Sequence, residues 1–140
     1  MLDAEKVCSL TNDAEVNYLA DLFLACLGLD KASRPYRMLR NAVIIATHCT
    51  DGMSEVYSAL SLISDEPPTR VAAVVRKIFI DGGEALREKF NRSYGNVQDG
   101  EIALTLPSFA NPDDTVMFLS TVFAYLIAVN YSKHTAEPII

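Results

Sequence analysis

The chain has 140 residues, half of them hydrophobic, which is enough for one domain with a real core and needs neither disulfides nor a structural metal to hold it. Its three cysteines, Cys8, Cys26 and Cys49, form no C-x-x-C pair; this speaks against a zinc site or a disulfide framework and for reduced thiols packed as small apolar groups in a cytoplasmic protein. The net charge of −6 opposes indiscriminate phosphate binding, but the charge is segregated: acids crowd residues 1–21 and 99–114, whereas Lys31, Arg34, Arg37 and Arg40, and then Arg70, Arg76 and Lys77, form two acid-free basic segments.

The first residues carry Asp3 and Glu5 and no apolar h-region, so no secretory signal is expected. Residues 1–12 read as an N-terminal tail, 13–134 as one domain and 135–140 as a frayed C-terminal tail. Asn12 or Asp13 caps a first helix whose apolar face is Val16, Leu19, Ala20, Phe23, Leu24 and Leu27, and Gly28 ends it. Ser33 caps a second helix, with Pro35 in its first turn and Tyr36, Leu39, Val43 and Ala46 as its buried stripe; it runs out near residues 48–50. A third, short helix spans Ser54 to Ile63, capped by Ser54, with Val56, Tyr57, Leu60 and Ile63 facing inward.

Ser64-Asp65-Glu66-Pro67 breaks the chain, because a proline disfavours helix at the residue before it. A fourth helix starts at Pro67 or Pro68 and reaches Ile80, where Asp81-Gly82-Gly83 stops it. A fifth covers Glu84 to Arg92 and is closed by Tyr94-Gly95. Residues 96–112 read as a loop, with alternating Ile102, Leu104 and Leu106 as a short extended piece. Asn111 caps a sixth helix with Pro112 at its first position, Asp113 and Asp114 in its first turn, and Lys133 and His134 near its end. Its apolar stretch is too short for a membrane span, which wants about 20 apolar residues. The expectation is an all-α fold: a compact six-helix domain containing a helix-turn-helix.

That motif is the third and fourth helices with their short turn, residues 54–80, with 67–80 as the helix that enters a DNA groove. Val71, Val74, Val75 and Ile78 form the inner stripe of the fourth helix. Thr69, Arg70, Ala72, Ala73, Arg76, Lys77 and Ile80 are left as a small, basic outer face. Alanine permits close approach, Arg70 stands early enough to reach a base edge, and Arg76 and Lys77 suit phosphates. Arg34, Arg37 and Arg40 are the flanking candidates.

Three stretches resemble the C-terminal DNA-binding effector domain of the stage-zero sporulation response regulators, which start endospore formation. The first is Leu27-Gly28-Leu29 with Tyr36 and Met38-Leu39-Arg40-Asn41-Ala42-Val43. The second is Val56-Tyr57-Ser58-Ala59-Leu60, followed at the family's spacing by Thr69-Arg70-Val71 and Arg76. The third is Asn111 through Phe118, which looks like the start of the family's last helix. The likeness runs over most of residues 15–133, with one short deletion near residues 47–54. It implies a six-helix fold, a recognition helix opening at Thr69-Arg70-Val71, and transcriptional control through double-stranded promoter DNA. It also implies a homodimer, or a separate receiver or regulator protein as partner, since the chain carries no receiver domain of its own. Where the family has glutamate-arginine after arginine-valine, this chain has Ala72-Ala73, which cannot hydrogen-bond a base.

Other chemistry finds little footing. His48 and Cys49 are neighbours whose side chains point apart on a helix, so they make no nucleophile–base pair. Asp51, Glu55, Asp65 and Glu66 read as caps or solvated acids, and no P-loop, dinucleotide fingerprint or EF-hand loop is present. No enzymatic activity, cofactor, metal or membrane partner is expected. The alternative of a different class is a degenerate helix-turn-helix that binds another regulator, or itself through Phe118, Phe123, Tyr125 and Tyr131. The two readings separate on geometry: bases gathered on one surface favour DNA, and scattered bases favour protein interaction.

Overall fold

A computed structural model describes residues 2–94, 98–99, 102–103 and 111–136. Its helices are α1 (Ala4–Thr11), α2 (Ala14–Leu24), α3 (Arg34–Ala46), α4 (Met53–Ser64), α5 (Pro68–Tyr94) and α6 (Pro112–Ala136), with a 3-10 turn at Ala25–Leu27 after α2. Two two-residue strands, Gln98–Asp99 and Ile102–Ala103, pair antiparallel, so the alternation at Ile102 marks a minimal hairpin. Leu104 and Leu106 lie outside the described residues. The protein is all-helical apart from that hairpin.

Most helix starts follow their caps. Asp13 accepts hydrogen bonds from the N–H groups of Glu15 and Val16, Ser33 accepts from Tyr36, and Asn111 accepts from Asp113 at 2.9 Å. Gly28, at φ 67°, closes the 3-10 turn. Ser54, by contrast, lies inside α4 and does not cap it. Gly52 occupies that position with φ 86°, and the Glu55 carboxylate reaches back to the N–H of Asp51 at 3.0 Å.

The expected N-terminal tail is also corrected, because residues 4–11 form a helix. Asp3 caps it through the Lys6 N–H at 2.8 Å, and Val7 is fully buried in the core. Val7, Leu10 and Thr11 stand on one face, a short stripe hidden among acids and polar residues. At the other end α6 extends through Ala136, past the expected boundary at residue 134; residues 137–140 and the side chains of Lys133 and His134 lie outside the description.

α3 is the hub and packs against α1, α2, α4, α5 and α6. Residues 42–46 are buried without interruption, so solvent reaches this helix mainly at its N-terminal half. The expected fourth and fifth helices are both present and part at the expected stop: Pro68–Tyr94, here α5, is broken at Gly83, where φ 48° and ψ −137° leave helical space. The bend lets the second half of α5 fold back on α2 and α6. There Phe23 meets Phe90, Tyr94 and Phe123 at centroid distances of 6.2, 5.4 and 5.6 Å, and Phe90 meets Phe118 at 6.0 Å.

Only glycine adopts the Gly83 backbone conformation without strain. Gly83→Ala is therefore expected to cost about 1–3 kcal/mol. In urea melts the midpoint should fall with an unchanged slope; a wild-type midpoint would show that the bend is not imposed at this residue.

Candidate nucleic-acid interface

α4 ends at Asp65, which adopts the left-handed conformation (φ 57°, ψ 20°), and α5 begins at Pro68. The Pro67 carbonyl accepts the N–H groups of Arg70 and Val71 at 3.0 and 3.2 Å, so the first turn of α5 is set by two consecutive prolines. Val71, Val75 and Phe79 are buried and Val74 and Ile78 half-buried. This largely matches the expected inner stripe, with Phe79 added. Ala72 departs from expectation: it is 4% exposed and belongs to the core, because the contact stripe of α5 is wider than the valines suggested. Its identity as alanine is thus a packing matter and not a lost base contact.

Thr69, Arg70, Ala73, Arg76, Lys77 and Ile80 are all exposed and share one face of α5 by helical periodicity. Arg76 stands at its α6 edge, and Arg70 and Lys77 stand at its α3 edge.

Arg76 is tied into the fold. Its Nε and Nη2 donate to Asp113 Oδ1 and Oδ2 at 3.0 and 2.8 Å, and its guanidinium lies 5.3 Å from the ring centroid of Tyr57. The Tyr57 hydroxyl, itself 3% exposed as a residue, donates to Asp113 Oδ1 at 2.7 Å. Asp113 at the start of α6 thus joins α4 and α5. The Arg76 guanidinium holds the Asp113 carboxyl below its usual range against the opposing effect of burial, with Tyr57 adding to the lowering. Burial and then Asp113 push the Tyr57 phenol up.

The same arrangement recurs between α2 and α3. Tyr36, 2% exposed, donates to Asp21 Oδ1 at 2.5 Å, and Arg40 Nη1 stands 3.4 Å from both Asp21 oxygens. Burial, then Asp21, raises the Tyr36 phenol. Arg34 pairs with Glu66 across the turn between α4 and α5.

Three of the six expected cations are therefore neutralised by acids. Arg34, Arg37 and Arg40 recur every three residues, which lags the helical repeat, so their directions fan out from the α5 side towards α2. Among the described residues, Arg37, Arg70 and Lys77 have no acid partner. The bases do not gather on a single surface: one set locks helices together, and another, with Arg70 and Lys77, edges the α5 face.

The remaining candidates fall elsewhere. Cys49 is half-buried, and burial with the nearby Glu55 and Asp51 pushes its thiol up to about 11, so it is protonated at neutral pH. Burial and Lys6 lower the basicity of His48. Cys8 is exposed and not packed, with its Sγ accepting from Asn12. No group of three or more His, Cys, Asp or Glu capable of holding a metal occurs among the described residues, and no described helix is long and apolar enough to cross a membrane. Of the aromatic self-association candidates, Phe123 is core and Phe118 packs against it, while the side chain of Tyr131 lies outside the description. Compared with family models, curated proteins and solved structures, the chain matches none.

Asp113 is expected to matter for stability. Asp113→Ala leaves the buried Tyr57 hydroxyl without its acceptor and should cost about 1–3 kcal/mol in urea melts, with Tyr57→Phe costing less. A carboxyl whose folded pKa is lowered contributes stability that is complete above its unfolded pKa, about 3.9, and lost as pH falls through the folded value. Wild-type stability should drop along that acid limb, and Asp113→Asn should flatten it. An unchanged limb would assign the acid sensitivity to other carboxylates.

Proposed function

We propose that the chain is a DNA-binding regulator of transcription without catalytic chemistry of its own, which reads duplex promoter DNA with the N-terminal half of α5. The observation that carries this reading, although the six candidate bases as a set scatter, is the exposed, small and basic face of Thr69, Arg70, Ala73 and Lys77, whose two cations have no acid partner among the described residues. It directly follows a tight turn from α4. The likeness to the sporulation effector domains supports it, since their recognition helix opens at the positions of Thr69-Arg70-Val71. Arg70 is the base-reading residue. Lys77 and Arg37 serve phosphates, Arg34 does so only by leaving Glu66, and Arg76 and Arg40 hold the scaffold. With so few free cations, the salt dependence of binding is shallow and its affinity low, so binding gains from a second copy or a partner regulator on the same DNA.

The second reading, protein interaction, is supported by the scatter of the six candidate bases over more than one surface and by the exposed apolar residues near the motif: Ile80 is 69% exposed, on the α5 face itself, and Leu62 is 50% exposed at the end of α4.

Selection from random duplexes followed by fluorescence anisotropy across a salt series tests the proposal. Two phosphate-facing cations, Lys77 and Arg37, predict a slope of log K against log salt of about −1.8, which Lys77→Ala should reduce by about 0.9, whereas Arg70→Ala should weaken binding to the selected duplex by about 1–3 kcal/mol and relax its sequence preference. Arg76→Ala should lower stability without that signature. Absence of duplex binding at low salt, or affinity and sequence preference indifferent to Arg70→Ala, would sink the DNA reading and leave the interaction reading.

A further inference from the structure

The other edge of α5 carries a second feature. Between the start of α3 and the bend of α5 lies a cleft of about 520 Å³, within the roughly 300–1,000 Å³ of small-molecule sites. Its apolar lining is Leu29, Pro35, Val74, Ile78 and Leu86. Gly82 shapes one end. A Cβ there would stand 2.4 Å from Leu86 Cδ1, so a larger residue would have to push the Leu86 side chain aside.

Three charged side chains also line the cleft: Arg34, Lys77 and Asp81. Arg34 is half engaged by Glu66 and keeps an exposed guanidinium, with 51% of its side chain accessible. Lys77 has no acid partner among the described residues. Asp81 follows one turn after Lys77, beside Gly82. With Arg34 paired to Glu66, Lys77 is the cleft's uncompensated cation, and Asp81 is its carboxylate, next to the bend.

The large exposed hydrophobics Tyr18, Leu22, Leu62, Ile63 and Ile80 all lie elsewhere. The apolar wall thus lies beside charged side chains and apart from those exposed hydrophobics, which suits a small amphipathic molecule better than a protein that covers the face.

We infer that this cleft binds a small amphipathic carboxylate, with its anionic head at Lys77 and its apolar body along Val74, Ile78 and Leu86. The site does not depend on α5 reading DNA.

The test uses decanoate, octanoate, decan-1-ol and decylammonium, below their aggregation concentrations, by calorimetric titration and amide chemical-shift mapping on the full chain. Decanoate should bind with shifts at Leu29, Val74, Ile78 and Leu86, and should bind more tightly than octanoate, by up to about fourfold per methylene. The alcohol should be weaker, and Lys77→Ala, an exposed substitution that spares the core, should weaken decanoate about tenfold. The inference is overturned if decylammonium binds as well as decanoate, if Lys77→Ala leaves affinity unchanged, or if the shifts map instead to the groove of Leu19, Leu22 and Phe123. Duplex binding measured separately on the same variants keeps this result distinct from the fate of the DNA reading.

Discussion

Two tyrosine hydroxyls inside an apolar core set the terms for the rest of the molecule. A buried phenol needs an acceptor, and an unmade bond there costs about 1–3 kcal/mol. Tyr36 on α3 takes Asp21 from α2, and Tyr57 on α4 takes Asp113 from α6. Each recruited carboxylate then needs a cation, which Arg40 and Arg76 supply. The result is one unit used twice, a tyrosine, an aspartate and an arginine, clamping the central helices to one neighbour before them and one after. Exposed ion pairs alone contribute little, about 0–1 kcal/mol; these matter because each completes the satisfaction of a buried hydroxyl.

This requirement explains why the sequence's basic segments misrepresent the surface. Counted along the chain, Arg34, Arg40 and Arg76 look available to phosphate. In space their charge is cancelled by Glu66, Asp21 and Asp113, residues 32, 19 and 37 positions away. Nothing local at Arg76 announces Asp113, which on its own looks like an ordinary acid in the first turn of a helix. Pairing across such distances is a property of packing, and periodicity does not carry it. What periodicity does carry is direction: the outer face of α5 emerges at Thr69, Arg70, Ala73, Lys77 and Ile80, with only Ala72 misplaced. Caps were equally readable at Asp13, Ser33 and Asn111, where one side chain and the next few N–H groups suffice. α1 escaped notice because its apolar stripe is too short to stand out from its acids, and Ser54 lost its capping role to a glycine whose φ no sequence pattern displays.

α5 carries two surfaces with different chemistry on one rod. Its outward face is small and basic, with Ile80 as an apolar interruption, and its α3-side edge walls a recessed cleft. Lys77 borders both. The bend at Gly83 ends the straight segment where the cleft ends, and hands the remaining turns to the aromatic cluster of Phe23, Phe90 and Tyr94. The N-terminal half of α5 is thereby held by valines and by Arg76, whereas the second half is held by rings.

The two clamps also differ in the length of chain they close. Tyr36 and Asp21 are 15 residues apart, Tyr57 and Asp113 are 56. Loop-closure entropy makes the longer circuit dearer by about 1 kcal/mol before any contact is gained. The N-terminal clamp can close while α6 is still being synthesised, and the second must wait for it. The last helix is thus what completes the second clamp, bringing Asp113 to the Tyr57 hydroxyl and to an Arg76 that stays on the surface.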